Sequence, residues 1–225
     1  MTSSLRLAIF DVDGTLIDSQ HNIVAAMIQA FEANRLPRPE PGRVRHIIGL
    51  SLVEAVAALL PDLDDSHHRT VAQSYRDAFF ALRSRPDHAE PLFPGALAAL
   101  ARLDAEGWLL GIATGKSRRG LDAMMERHGL ARRFVTHQTA DGNPGKPDPT
   151  MVMRAMAEAG AAPRRTVMIG DTTFDMQMAR TAGAFAAGVA WGYHAVGDLR
   201  AAGAQAVVDS WQVLPAAVAT LLENP

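Results

Sequence analysis

The chain has no cysteine in its 225 residues, which excludes disulfides and thiol chemistry and fits a reducing, cytoplasmic setting. It also lacks an excess of charge of one sign. With 22 basic and 24 acidic residues the formal net charge is -2, and the basic residues are scattered apart from short clusters such as Arg132-Arg133 and Arg164-Arg165. No basic stripe follows a nucleic-acid backbone, so no nucleic-acid partner is expected. Long hydrophobic runs are missing as well. The first apolar stretch, Leu5 to Phe10, ends at an aspartate, short of the roughly 7–15 apolar residues of a secretory signal core. The stretch Ala182 to Gly192 falls short of the roughly 18 residues that span a membrane and reads as a buried strand with small flanking residues. Neither an export signal nor a membrane partner is expected. There is no internal repeat or low-complexity segment, and 48% apolar with 20% charged residues describe an ordinary globular protein, long enough for a core domain carrying a smaller inserted one. Oligomeric state is not legible.

What is present is a change of periodicity along the chain. After Asp18, the positions Ile23, Val24, Met27, Ile28 and Phe31 repeat every three or four residues, which predicts an amphipathic helix with Ser19 at its N-cap. Pro37, Pro39, Pro41 and Gly42 break the chain, and two more helical patterns follow, Leu52 to Leu60 and Ser66 to Leu82. From Pro94-Gly95 onward, helices alternate with apolar runs at Trp108–Ala113, near Val135, at Thr166–Ile169, Phe185–Ala190 and Ala206–Val208. Alternation of this kind predicts a parallel sheet covered on both faces. The expected fold is therefore α/β, a doubly wound, Rossmann-like parallel sheet. Its core spans 1–16 and 88–225, with an all-helical cap inserted over 17–87.

The polar residues that carry chemistry collect at the ends of these runs. The first run leads into Asp11-Val12-Asp13-Gly14-Thr15-Leu16-Ile17-Asp18. Asp11 and Asp13 are two residues apart, so on extended backbone both leave the same side and converge, as metal ligand, nucleophile, acid or base. An EF-hand fails because Leu16 and Asn22 occupy its sixth and twelfth positions. Thr114-Gly115-Lys116-Ser117 follows the Leu109–Ala113 run and combines a hydroxyl with backbone N–H groups at a helix start, a phosphate site or simply a helix cap. It is no Walker loop, since Leu110 stands where that loop needs its first glycine. In Gly145-Lys146-Pro147-Asp148-Pro149 the prolines stiffen the loop that carries Lys146, and in Gly170-Asp171-Thr172-Thr173-Phe174-Asp175 an acid at a strand tip precedes a second near a helix start. No two of the eight histidines have helical metal-ligand spacing. Met124, Met125, Met151, Met153, Met156, Met176 and Met178 are expected to fill the core. Cap residues Arg43, Arg45, His46 and Ser51 could reach over the site, with Arg45 and Ser51 the candidates for specificity.

In order and placement, these four clusters resemble the motifs of the haloacid dehalogenase superfamily: an Asp-x-Asp-Gly-Thr strand end, a Thr or Ser strand end, a Lys, and an acidic Gly-Asp-x-x-x-Asp. Asp18-Ser19, Gly49-Leu50-Ser51, Pro94-Gly95, Gly145-Lys146-Pro147 and Gly170-Asp171 extend the resemblance, over nearly the whole chain, to the phosphoglycolate phosphatase-like branch. The resemblance implies a Mg²⁺-dependent phosphomonoester hydrolase acting on a small phosphorylated metabolite. In it, Asp11 is the nucleophile that forms an aspartyl-phosphate, and Asp13 is the acid and base. Thr114, Gly115 and Lys146 bind phosphate. Asp11, Asp171 and the backbone carbonyl of Asp13 hold the metal, and Asp175 orients Lys146 or a metal-bound water. Because dehalogenating members usually carry a bulky residue where Asp13 stands, carbon–halogen cleavage is disfavoured. A sugar-phosphate mutase built on the same core and a phospho-aspartate switch remain as alternatives.

Overall fold

The computed structural model describes residues 5–85 and 88–223. Six parallel strands make one sheet: β1 (Arg6–Phe10), β2 (Trp108–Thr114), β3 (Thr136–Thr139), β4 (Thr166–Gly170), β5 (Phe185–Val189) and β6 (Ala206–Val208), in the order β3-β2-β1-β4-β5-β6. The strands are apolar on both faces because both are covered. Phe10, Leu110, Ile112, Ile169 and Val189 pack on one side with Trp211 and Leu214, and Leu7, Ile9, Ala113 and Met168 on the other with Met151, Met176 and Met178. The chain order reverses between β1 and β4, the switch point where open α/β sheets form a crevice at the carboxyl ends of their strands. Asp11 and Asp171 follow those two strands directly, and Thr114 ends the neighbouring β2.

Around the sheet lie α5 (Ala96–Ala105), α6 (Arg118–Arg127), α7 (Thr150–Ala159), α8 (Thr173–Thr181), α9 (Val196–Ala201) and α10 (Leu214–Glu223). The predicted Ser117 cap is present, its side chain accepting from Gly120 N. Val135 itself lies outside β3 and is exposed, and α9, a helix of six residues, has no counterpart in the sequence pattern. Of the seven methionines expected to fill the core, Met153 is 53% exposed on α7, whereas the other six are buried. It falls on the face of the helix turned away from the sheet.

Between β1 and α5 come α1 (Gln20–Ala33), α2 (Pro41–His46), α3 (Leu52–Leu59) and α4 (Asp65–Arg83), with no strand among the described residues of this segment. They bury their own apolar set, including Met27, Phe31, Val44, Val56 and Val71, as a helical cap over the crevice. The proline-rich stretch breaks α1, as expected, but also starts α2. Pro41 takes the first helical position, where its missing N–H is no loss, and Glu40 caps the Arg43 amide. At the root of the cap, Asp18 N donates to Pro91 O and Phe93 N to Leu16 O. The second expected boundary, at 87, falls on residues outside those described. No helix among the described residues is long and apolar enough to cross a membrane.

Candidate active site

The turn after β1 sets the first two acids. Asp11 N donates to Ile169 O, stitching β1 to β4 up to the strand tip, and the chain then turns through Gly14 at φ +85°. A side chain is excluded there twice, by the left-handed backbone and because a Cβ would stand 2.3 Å from Asp171 Oδ2. Thr15 Oγ1 donates to Asp171 Oδ1 at 2.8 Å and Tyr193 N to Asp171 Oδ2 at 3.0 Å. Both oxygens of Asp171 are thus held in place, one from the first motif and one from the loop after β5.

Beyond β3, the loop with a cis Lys146–Pro147 peptide delivers Lys146, fully buried, to the same point. Its Nζ lies 2.8 Å from Asp11 Oδ1 and 2.7 Å from Asp175 Oδ1. The angles fall outside hydrogen-bond geometry, but charge attraction needs no such angle. Asp175 serves twice, since its Oδ2 accepts from Thr172 N and Oγ1 in the capping box of α8. Asp175 thus caps α8 with one oxygen and faces Lys146 with the other.

Asp11, Asp171 and Asp175 each place an oxygen within 4.8 Å of the others. Three buried carboxylates face one lysine, and the imbalance shows in their acidity. Burial, reinforced by the charges of Asp175 and Asp13 and only partly offset by Lys146, pushes the Asp11 carboxyl up from 3.8 to about 7. Burial and the Asp11 and Asp175 charges push Asp171 well above the ordinary carboxyl range. Burial alone would lower Lys146, but Asp11 and Asp175 outweigh it and hold the ammonium above the usual lysine range. Asp11 Oδ2 is buried with no hydrogen-bond donor. A hard divalent cation suits this all-oxygen, excess-negative cluster.

The shift also fixes a pH dependence. A carboxyl whose folded pKa lies above its unfolded value binds a proton on folding between the two. The contribution of Asp11 to the stability of the metal-free protein is therefore expected to fall as pH rises from about 4 to about 7. Cation binding needs the ionised carboxylates and gains strength over the same window. Millimolar Mg²⁺ is expected to raise Tm by about 5 °C or more at about pH 7.5 and by much less at about pH 5. Equal shifts at both pH values, or none, in differential scanning calorimetry would remove the cluster as a cation site.

Asp13 stands apart from that cluster. Its Oδ1 accepts from Ser19 Oγ at 2.6 Å and from Lys116 Nζ at 2.7 Å. Lys116, itself 3.4 Å from Glu90 Oε1, is held above the usual lysine range because the Asp13 and Glu90 charges outweigh burial. Ser19 does stand at the N-cap position of α1, but it makes no side-chain cap bond and spends its hydroxyl on Asp13. Neither contact was read from the sequence. Lys116 follows Thr114-Gly115 directly, and a lysine in a strand-end loop beside an acidic pair was the available signal.

Above these residues lies a cavity of about 410 Å³ lined by Asp11, Asp13, Thr114, Gly115 and Lys116 from the core and by cap residues including Ser51. Lys146, Asp171 and Asp175 sit behind its floor. The cap meets the core closely. A Cβ on Gly115 would stand 2.8 Å from Leu50 O, and one on Gly145 would stand 2.1 Å from Glu54 Oε2, so glycine at both positions lets the Gly49-Leu50-Ser51 loop seat over the site. Ser51 is therefore at the cavity. Arg45 is not, lining instead a separate depression beside α1 with Gln20 and His21. His46 stacks on His194 with ring centroids 4.5 Å apart.

The family model described as haloacid dehalogenase-like hydrolase matches residues 8–189. A protein named probable phosphatase IndB from Dickeya dadantii is 36% identical over 219 residues, 96% of this chain and 95% of its own. A phosphoglycolate phosphatase from Mesorhizobium japonicum is 29% identical over 195 residues, 84% of this chain and 85% of its own. The crystal structure of a hydrolase from Pseudomonas syringae superposes with a TM-score of 0.80 at 28% identity, covering 93% of this chain and 96% of that one. With four motifs converging at one crevice, the chain belongs to the haloacid dehalogenase-like hydrolase family, as a phosphatase of its phosphoglycolate phosphatase-like branch.

Proposed function

We propose that the protein is a Mg²⁺-dependent phosphomonoesterase that works through an aspartyl-phosphate on Asp11 and acts on a small phosphorylated metabolite. The observation that carries this reading is Asp11 Oδ2, buried and without a hydrogen-bond donor, on a residue that opens into the cavity between Asp13 and Thr114. The pairing of Lys146 with Asp11 Oδ1 leaves that second oxygen for attack. An oxygen of Asp11 attacks phosphorus, the ester P–O bond breaks, and the leaving oxygen takes a proton from Asp13. Asp13 then accepts a proton from the water that attacks the same phosphorus, releasing inorganic phosphate and restoring Asp11. Lys116 and Ser19 both hold Asp13 by Oδ1, which fixes the side chain and turns Oδ2 to the substrate. Thr114 and the Gly115 amide lie at the end of β2, where a non-bridging phosphate oxygen would rest, and the ammonium of Lys146 offsets the charge that gathers there. A Mg²⁺ ion held by Asp11, Asp171 and the Asp13 backbone carbonyl, with Asp175 alongside, would neutralise charge on the transferring phosphoryl group.

The test is release of inorganic phosphate from phenyl phosphate with Mg²⁺ present and after chelation. Release that stops on chelation and returns with Mg²⁺ supports the reading. Accumulation of an isomeric ester from a sugar phosphate, without free phosphate, would instead establish a mutase. Stoichiometric labelling of Asp11 without turnover would establish a switch.

A further inference from the structure

The cavity extends well past the reacting centre. Its outer part is lined by Tyr75, Phe79 and Phe80 of α4 and by three guanidinium groups, those of Arg76, Arg83 and Arg119. Two of these cross the seam between cap and core in opposite directions. Arg83 leaves the cap with its guanidinium 5.3 Å from the centre of the Phe79 ring and reaches α6 of the core, where a Cβ on Gly120 would stand 3.5 Å from Arg83 Nη2. Arg119 leaves α6 of the core and lies 4.5 Å over the ring of Phe80 on the cap.

Among the described residues, the carboxylates near these arginines are engaged elsewhere. Asp13 and Glu90 pair with Lys116, Asp122 pairs with Arg118 Nε, and Asp141 accepts from the Arg118 backbone N–H. Arg83 adds a weaker pull on Glu90. The mouth of the cavity is thus left with guanidinium groups resting on aromatic faces, which shield them from water on one side and leave their N–H edges for a ligand.

From this arrangement we infer that the leaving group of the substrate has an apolar body and ends in a second anion, a carboxylate or a phosphate, held by Arg83 and Arg119. The inference rests on the phosphomonoesterase reading above and names its substrate class. Guanidinium forks match the planar or tetrahedral oxygens of such anions, the apolar lining of the same cavity by Ile23, Met27, Ile48 and Leu52 matches the apolar body, and 410 Å³ is in the range of sites for ligands of that size rather than for a two-carbon ester. Since one arginine comes from the cap and the other from the core, the same anion would also hold the cap down while the leaving group is bound.

Three esters test it on the intact, Mg²⁺-loaded protein: phenyl phosphate, 4-carboxyphenyl phosphate and 4-(phosphonomethyl)phenyl phosphate. The expected result is a kcat/KM at least about tenfold higher for one or both charged esters than for phenyl phosphate. Whichever is preferred identifies the anion as carboxylate or phosphate-like. In Arg83→Gln and Arg119→Gln the ratio of charged to neutral ester should fall towards one, whatever happens to phenyl phosphate itself, and Arg83→Lys should restore part of it. The ratio is measured on protein that turns over, so misfolding cannot imitate the effect. Equal efficiency for all three esters, or a preference that survives both glutamine variants, overturns this inference and leaves the phosphatase reading standing. No phosphate from any ester overturns both.

Discussion

Replacing Asp11 by Asn is expected to lower phosphate release from an aryl phosphate by about four orders of magnitude or more. The amide is nearly the same size, so it fits the space between Lys146 and Asp13, but an amide oxygen cannot attack phosphorus to give a stable acyl-phosphate. The change also removes one of three buried carboxylates that face a single lysine. Because Asp11 is pushed up to about 7 by burial first and neighbouring charge second, its loss relieves electrostatic strain in the metal-free protein. The variant should therefore melt no lower than the parent in the absence of divalent ions, above all at about pH 7.5 where the native carboxyl is ionised. An Asp11→Asn protein that keeps even a few per cent of parental turnover would rule Asp11 out as the nucleophile. One that is inactive and also melts well below the parent would show that the loss came from folding.

The second large effect is expected at Lys146. Its side chain has no solvent exposure and bridges Asp11 and Asp175, so Lys146→Met fills a similar volume but leaves those carboxylates without their cation. Breaking a buried pair by removing one partner costs about 3–5 kcal/mol, and losing a charge that faces the transferring phosphoryl group costs on the order of 10³ in kcat. The stability loss carries a signature. Lowering pH towards about 5 protonates Asp11, whose carboxyl burial already pushes up to about 7, and should recover part of it, and Mg²⁺ should do the same at neutral pH by supplying the missing positive charge. Lys146→Arg should not rescue turnover, because a planar guanidinium does not fit a buried point-charge site between two carboxylates. Thermal melts of Lys146→Met that match the parent across pH 5–8 without divalent ions would show that the lysine is not the cluster's counter-charge.

Much of this molecule was legible in one dimension because the decisive signals are local. A strand buried on both faces must be an unbroken apolar run, so β1, β2, β4 and β5 announce themselves. The acids that end β1 and β4, the Thr114 that ends β2 and the lysine in a proline-stiffened loop all sit at junctions where periodicity changes. Local patterning also carried the cap, since α1, α3 and α4 each repeat apolar residues at helical spacing. It failed at α2 and α9, of six residues each, because one and a half turns hold too few apolar positions to set a period.

The tertiary structure decided how the parts meet. Ser19 and Asp13 are six residues apart, and periodicity gave Ser19 a capping role. The turn through Gly14 folds the hydroxyl onto Asp13 instead. Asp13 and Lys116, 103 positions apart, meet only because β1 and β2 lie side by side. Asp171 owes one hydrogen bond to Thr15 and another to the Tyr193 amide, from segments far off on either side in the chain. Arg45 and Arg83 look alike as charged cap residues, yet only the second reaches the cavity. By itself the sequence determined the α/β sheet, the inserted helices and the acids, threonine and lysine of the candidate site, all written in short-range pattern. Which hydroxyl and which second lysine reach Asp13, and which arginines reach the cavity, depends on the distances set when the sheet orders its strands and the cap packs over them. No spacing along the chain encodes those distances.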